Sequence, residues 1–359
     1  MKIGILTYHR TYNYGGCLQA LATRTLLERL GHEVYYIDYW PQYHAEEYKL
    51  FNRQKYRNLS LKGKLRYIAN YLMTYNSRKK RCINFEEYHK LFTYPFCKPT
   101  TETYDAIVYG SDQIWRKQQA TKTYNPVYFG VNDIKSRKHI SFSASMGILP
   151  TSEEDKVIVK SYLSHLDSIS VRESNLKRFI ENLGFSGVFN SIDPTLMLTA
   201  EDWEAILPSK RLIPDKYILV YALWGGIFNI KDIRHYANTH DMKIVFLRGE
   251  ANKRETEYEL TTANPQTFLS LIKNAELVLS SSFHGLAFSI LFHKEFLVSF
   301  NSNSERAKSL LAQVGLSERF ILPHEKLPLN LEVIDYDKVE QKLHVLRKEA
   351  KDYLMDNLK

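Results

Sequence analysis

Apolar and polar positions along this chain alternate between two periods. A short apolar run, Lys2–Thr7, reads as a buried strand. After a polar stretch, Leu18, Leu21, Ala22, Thr25, Leu26 and Leu30 recur at helical spacing over Gly16–Leu30, and Gly31 closes that helix. Further strands are predicted over Glu33–Asp38, Tyr104–Tyr109, His139–Ser143 and Asp167–Val171, the last followed by a helix over Arg172–Leu183. Asp193-Pro194 interrupts the pattern, and a second series begins. Its strands are Tyr217–Ala222, Lys243–Leu247, Glu276–Ser281 and Glu295–Phe300. Its helices fall near Asn229–Thr239, Gln266–Asn274, Gly285–Phe292 and Ser304–Val314. Tyr336–Leu358 reads as one long charged helix. Strands alternating with helices predict βαβ units and mostly parallel sheets, hence an α/β protein of two doubly wound domains with a cleft between them. The boundaries fall at 1–198, 199–325 and 326–359, the last segment able to cross back onto the first domain.

A chain of 359 residues suits two domains, and 44% apolar residues suffice for two cores. No run of eighteen apolar residues occurs, and the first residues read as a strand rather than a signal sequence, so a cytoplasmic location is expected. Cys17, Cys82 and Cys97 form neither a disulfide framework nor a zinc pattern. The net charge of +9 is concentrated: residues 49–81 hold eleven Lys/Arg and no Asp or Glu. Within this insert Leu61, Leu65, Ile68 and Leu72 sit at helical spacing. It reads either as a solvated helical insertion or as a basic amphipathic segment that meets anionic lipid headgroups. No nucleic-acid recognition motif accompanies it, so nucleic acid is not expected as a partner.

Four polar clusters follow predicted strands, where ligands of such folds bind. The fourth is the most informative, Ser280-Ser-Ser-Phe-His-Gly285 between a buried strand and an apolar helix. Free N–H groups and the helix dipole there suit an anion, and His284 can carry a proton near neutral pH. That pattern suits a phosphate- or carboxylate-bearing substrate with His284 as proton donor, Ser280, Ser281, Ser282 and Gly285 lining the anion site. A capped helix with a packed histidine gives the same spacing. Arg248 and the loop Trp224-Gly225-Gly226 are placed to face the same pocket. The first cluster, Thr7 to Gln19, offers Gly15 and Gly16 for close backbone approach, Asn13 and Gln19 for hydroxyls, and Tyr8, Tyr12 and Tyr14 as stacking faces. It lacks the dinucleotide fingerprint. The second, Gly110-Ser-Asp-Gln-Ile-Trp115, offers Asp112 as a base for a sugar hydroxyl, with Gln113 and Trp115 beside it; Asp112 also suits a helix N-cap. The third, Ser170-Val-Arg-Glu173, sets Arg172 against a helix dipole, which makes sense if an anion shares the spot; a surface ion pair is the alternative. No metal-ligand spacing appears, so neither a metal nor a bound cofactor is expected.

The asparagine-tyrosine-glycine loop with Leu18-Gln19-Ala20, Gly110-Ser-Asp-Gln-Ile-Trp115, Ser170-Val-Arg-Glu173, Asp193-Pro-Thr-Leu196 and Ser282-Phe-His-Gly285, taken in this order, resemble the polysaccharide pyruvyl transferase family over about residues 1–310. The resemblance implies two Rossmann-like domains similar to the GT-B glycosyltransferases. It implies transfer of the pyruvyl unit of phosphoenolpyruvate, a co-substrate, onto two hydroxyls of one sugar, giving a cyclic ketal in surface, exopolysaccharide or capsule synthesis. The acceptor is then a saccharide, often lipid-linked, at the inner face of the membrane. Family members with an arginine-leucine-histidine-glycine turn use its arginine and histidine for phosphoenolpyruvate. Here Ser282 stands where that arginine would be, so Arg172 or Arg248 must do more. By this resemblance His284 is the acid and Asp112 the base. Arg172, Arg248, Ser280, Ser281, Ser282 and Gly285 serve the donor; Asn13, Tyr14, Gly15, Gly16, Gln19, Gln113 and Trp115 serve the acceptor. Two other functions fit the same pattern: a nucleotide-sugar glycosyltransferase, and a carbohydrate-binding protein that has lost catalysis.

Overall fold

The structure, a computed structural model, describes the chain except residues 120, 209, 223–226, 252, 254 and 303, and Gln54 without its side chain. The Trp224-Gly225-Gly226 loop therefore lies outside the described residues. Twelve strands are described: β1 (Lys2–Leu6), β2 (Glu33–Ile37), β3 (Cys97–Lys98), β4 (Tyr104–Tyr109), β5 (Ser136–Ser141), β6 (Ser170–Val171), β7 (Phe189–Asn190), β8 (Tyr217–Tyr221), β9 (Lys243–Leu247), β10 (Glu259–Leu260), β11 (Leu277–Ser280) and β12 (Glu295–Val298). The helices are α1 (Tyr14–Arg29), α2 (Gln42–Glu47), α3 (Arg53–Arg57), α4 (Leu61–Phe92), α5 (Glu153–Leu163), α6 (Ser174–Asn182), α7 (Ala200–Glu204), α8 (Ile230–Thr239), α9 (Pro265–Lys273), α10 (Phe283–Leu291), α11 (Glu305–Val314) and α12 (Tyr336–Asn357).

Two parallel five-stranded sheets share one connectivity. The first runs β3-β2-β1-β4-β5 and the second β10-β9-β8-β11-β12. Ile5 pairs with Val108 across β1 and β4, and Leu279 with Val220 across β11 and β8. In each sheet the order reverses at the central pair, β1/β4 and β8/β11, and such a switch point leaves a crevice at the strands' carboxyl ends. β6 joins the edge of the first sheet through the bridges Ile140↔Ser168 and Ala144↔Val171, then pairs with β7. The chain is thus α/β, with two Rossmann-like domains.

One apolar cluster crosses between the domains and holds the crevices face to face. Tyr14, Leu18 and Leu21 of α1 and Phe85 and Tyr88 of α4 pack with Phe268 of α9 and with Phe283, Leu286 and Phe288 of α10. Arg81 of α4 adds polar links. It is buried, donates to the Tyr14 hydroxyl at 2.7 Å and reaches the Thr261 carbonyl at 3.3 Å. α12 spans both bodies. Val339 and Leu343 join the interdomain cluster, whereas Ala350, Leu354 and Leu358 pack with Ile3, Leu27 and Phe142 of the first domain. Among the described residues no helix is long and apolar enough to cross a membrane.

Candidate functional site

The loops after β1, β4 and β11 converge where the switch points of the two sheets face each other. Asn13 caps α1 by accepting from the Gly16 N–H at 3.2 Å, and Ser282 caps α10 by accepting from the Gly285 N–H at 3.4 Å. The two helix N-termini meet. A Cβ on Gly15 would stand 1.9 Å from His284 Nδ1, so the ring lies against bare α1 backbone. Only glycine leaves that room. The positive ends of both helix dipoles therefore act on one small volume, with the His284 side chain inside it.

Asp193 organises the polar side of this volume. Its Oδ1 accepts from the Thr195 N–H at 2.9 Å and the Thr195 hydroxyl at 2.7 Å. Its Oδ2 accepts from the Ser111 hydroxyl at 3.1 Å and from Arg172, and lies 3.7 Å from His284 Nε2. Burial pushes the Asp193 carboxyl up, but Arg172, His284 and the Thr195 bonds outweigh it and hold the group down at about 2. Burial dominates at His284, pushing its imidazole down to about 4 against the pull of Asp193, so the resting ring is neutral at pH 7. Burial also lifts the Glu173 carboxyl, which accepts from the Ser145 hydroxyl.

Two guanidinium groups stand over the Phe283 ring, Arg172 at 4.5 Å and Arg306 at 5.7 Å from its centroid. Arg172 Nε and Nη2, Arg306 Nε, Glu173 Oε2 and His284 Nε2 are buried without a hydrogen-bond partner among the described residues. Polar atoms left this densely without partners are costly in a native interior unless a ligand or water completes them. Asp112, in the left-handed region at φ 69°, adds a carboxylate whose field reaches His284, Arg172 and Arg306. No helix follows Asp112, so the N-cap reading does not apply; its Oδ1 accepts from the Gln113 N–H at 2.7 Å.

Several sequence expectations need correction. Trp115 cannot stack on a sugar: it is fully buried against Phe129, its Nε1 donating to the Tyr128 carbonyl at 2.8 Å. Tyr14 is buried between domains, stacked on Phe268. Gln19 is buried too; its amide donates to Thr7 Oγ1 at 3.0 Å and accepts from the Ser111 N–H at 3.1 Å, which ties the two loops together. Gly15 approaches His284 rather than open cleft, Gly16 is packed against Thr11 Oγ1, and Gln113 borders Gly147. Arg248 is held by Glu259 at 2.9 Å on the β9–β10 edge. The serines brace their own turn. Ser280 Oγ takes the Ser282 N–H at 3.0 Å, the Ser281 N–H goes to the Tyr221 carbonyl at 3.1 Å, and Gly285 sits tight against Ser280. The anion that accounts for the place of Arg172 is the protein's own Asp193. Asp193, Glu173 and Arg306 escaped the sequence reading as site residues. Asp193 was visible as a break in the pattern and as the start of the Asp193-Pro-Thr-Leu196 motif, but without a role of its own, and Arg306 lies one strand beyond the turn whose Phe283 it faces.

The family model for polysaccharide pyruvyl transferase matches residues 13–303. Comparison with curated proteins finds no match. Among solved structures the chain is similar to the UDP-GlcNAc 2-epimerase of Methanocaldococcus jannaschii, at 12% identity and TM-score 0.48 over 97% of this chain and 93% of that one. It is similar to the UDP-N-acetylglucosamine 2-epimerase of Rickettsia bellii, at 12% identity and TM-score 0.43 over 98% and 97%. An uncharacterised protein of Klebsiella pneumoniae aligns at 13% identity and TM-score 0.41 over 68% of this chain and 86% of that one.

Proposed function

This chain belongs to the polysaccharide pyruvyl transferase family, and on that premise we propose that it moves the pyruvyl group of phosphoenolpyruvate onto two hydroxyls of one sugar to form a cyclic ketal. The observation that carries the reading is His284, a buried imidazole at the meeting point of two helix N-termini, beside unsatisfied guanidinium donors. Phosphoenolpyruvate is a small polyanion. Its charge, placed beside His284, opposes the desolvation that keeps the ring neutral and raises its pKa toward working pH. The protonated ring then donates to the methylene carbon. Positive charge develops on the adjacent carbon and one sugar hydroxyl attacks it, Asp112 accepting that hydroxyl's proton. Phosphate leaves, and the second hydroxyl closes the ring, its proton departing with phosphate. The two hydroxyl protons balance the one added to carbon and the one on phosphate. Arg172 orients the donor through its unbonded Nε and Nη2, while Asp193 fixes Arg172 and sits within the field of His284.

The acceptor in this reading is a lipid-linked saccharide, in exopolysaccharide or capsule synthesis at the inner face of the cell membrane. α4 supports it. Tyr67 and Tyr71 turn inward onto Phe51, while Leu61, Leu65 and Leu72 on the opposite face are 82%, 71% and 69% exposed. Lys62, Lys64 and Arg66 flank that apolar stripe. An apolar stripe bordered by cations suits an anionic bilayer surface. Three of the four cations at 78–81 bond within the fold instead: Arg78 bonds Thr74, Lys80 pairs with Glu255, and Arg81 is buried. The deciding experiment incubates the protein with phosphoenolpyruvate or UDP-sugars and lipid-linked saccharides, then weighs the product. A carboxyl-bearing, acid-labile ketal with phosphate release supports the reading. A hexose gain with UDP release indicates a glycosyltransferase and overturns it.

A further inference from the structure

The position two residues before His284, an arginine in family members with an arginine-leucine-histidine-glycine turn, is here Ser282, a helix cap without charge. We propose that Arg306, at the start of α11, supplies the missing cation and binds an anionic group of the donor. The inference rests on the phosphoenolpyruvate reading above and names a residue which that reading leaves open. α11 begins just after β12, the neighbour of β11, so the fold returns this side chain to the turn that lost its own arginine. Its guanidinium stands 5.7 Å from the centre of Phe283, the residue between Ser282 and His284.

Arg172 too keeps unbonded nitrogens, but the distance to the nearest carboxylate separates Arg306 from the other arginines nearby. Arg172 is neutralised by direct contact with Asp193, and Arg248 by Glu259 at 2.9 Å. Arg306 comes no nearer to a carboxylate than 4.0 Å, to Glu173 Oε1, and its buried Nε has no hydrogen-bond partner among the described residues. A structural arginine in a low-dielectric setting is normally paired and hydrogen-bonded. Arg306 is instead held beside a second guanidinium, whose repulsion an anion between them would turn into attraction. Its side chain keeps 16% exposure against 2% for Arg172, so it lies on the open side of the cluster, where a ligand enters. The ligand class that suits this pair is a small acid with a phosphate or carboxylate able to take two guanidinium donors.

The test measures phosphoenolpyruvate binding by calorimetry to wild type, Arg306→Gln and Arg306→Lys, with unliganded Tm as the fold control. Loss of a charge-assisted contact predicts about 10–100-fold weaker binding for Arg306→Gln, with partial recovery for Arg306→Lys. Because the group lacks a close partner, the unliganded Tm of both variants should match wild type. Steady-state kinetics should show a raised KM for phosphoenolpyruvate and no comparable change in KM for the acceptor. Wild-type affinity in Arg306→Gln overturns the assignment while leaving the donor reading intact. So does a Tm drop in both variants with unchanged kinetics, which marks a structural arginine. A wild-type protein that binds UDP but no phosphoenolpyruvate overturns the donor reading, and the assignment with it.

Discussion

Gly15→Ala tests whether the two domains meet as described. Position 15 lies in the first turn of α1 without positive φ, so alanine suits the backbone and would by propensity stabilise the helix by about 1 kcal/mol. The obstacle is His284. The new Cβ would stand 1.9 Å from Nδ1, 2.4 Å from Cε1 and 2.5 Å from Cγ, where ordinary contact begins near 3.4 Å. The ring or the helix end must retreat by roughly 1.5 Å. Overpacking of this kind costs about 1–3 kcal/mol, and a displacement near 1 Å at a reacting group costs about 10²-fold in rate. Gly15→Ala should therefore lower Tm by several degrees and kcat by about two orders of magnitude. A double-mutant cycle isolates the cause. In a His284→Ala background the same Gly15→Ala change should no longer destabilise, because the ring it meets is gone. Equal destabilisation in both backgrounds, or wild-type kcat in Gly15→Ala, would refute the contact and the placement of His284 between the helices.

Three further outcomes are expected. Arg172→Leu strands the buried Asp193 carboxylate and should destabilise the protein by about 3–5 kcal/mol in urea titrations, whereas an unchanged midpoint would remove the pair from the fold's support. His9, His89 and His284 are each held near 4 by burial, below their unfolded value. Their contribution is full above pH 6.5 and is lost as pH falls toward 4, on the order of 3 kcal/mol per ring, because only the unfolded chain takes up the protons. Tm should thus drop between pH 6.5 and 5, before carboxylates titrate, and a flat Tm there would contradict the burial. Leu61, Leu65 and Leu72 changed together to serine should weaken binding to anionic vesicles without altering Tm, since these side chains are exposed; equal vesicle binding would exclude insertion of α4.

Most repeating elements were legible in the sequence because each carries its own pattern. The apolar runs at β1, β4, β9 and β11 and the periodic faces of α8, α9 and α11 stand within a few residues of their expected places. The two-residue edge strands β3 and β10 were not, since two residues hold no period and form only by pairing with β2 and β9. α4 shows a subtler limit. The spacing of Leu61, Leu65, Ile68 and Leu72 identifies a helix, yet periodicity cannot say which face meets the body, and here the apolar face looks outward. The site divides in the same way. His284, Asp112 and Arg172 reach one volume as expected from loops at strand ends. Trp115 shares that position in sequence but turns into the core, because a strand end offers an aromatic ring both an exposed and a buried side. Arg306 had no local mark, since its nearness to Phe283 depends on β12 lying beside β11.

In the proposed mechanism a protein acid, held at His284, protonates the donor's methylene carbon. Running the reaction in D2O with phosphoenolpyruvate and a saccharide acceptor reads that step in the product itself. The exchangeable proton on the ring becomes deuterium, so the ketal methyl group should carry one deuterium, seen as a CH2D signal by NMR, and His284→Gln should form no ketal. A ketal with an unlabelled methyl group, or labelled product from His284→Gln at the wild-type rate, would contradict it.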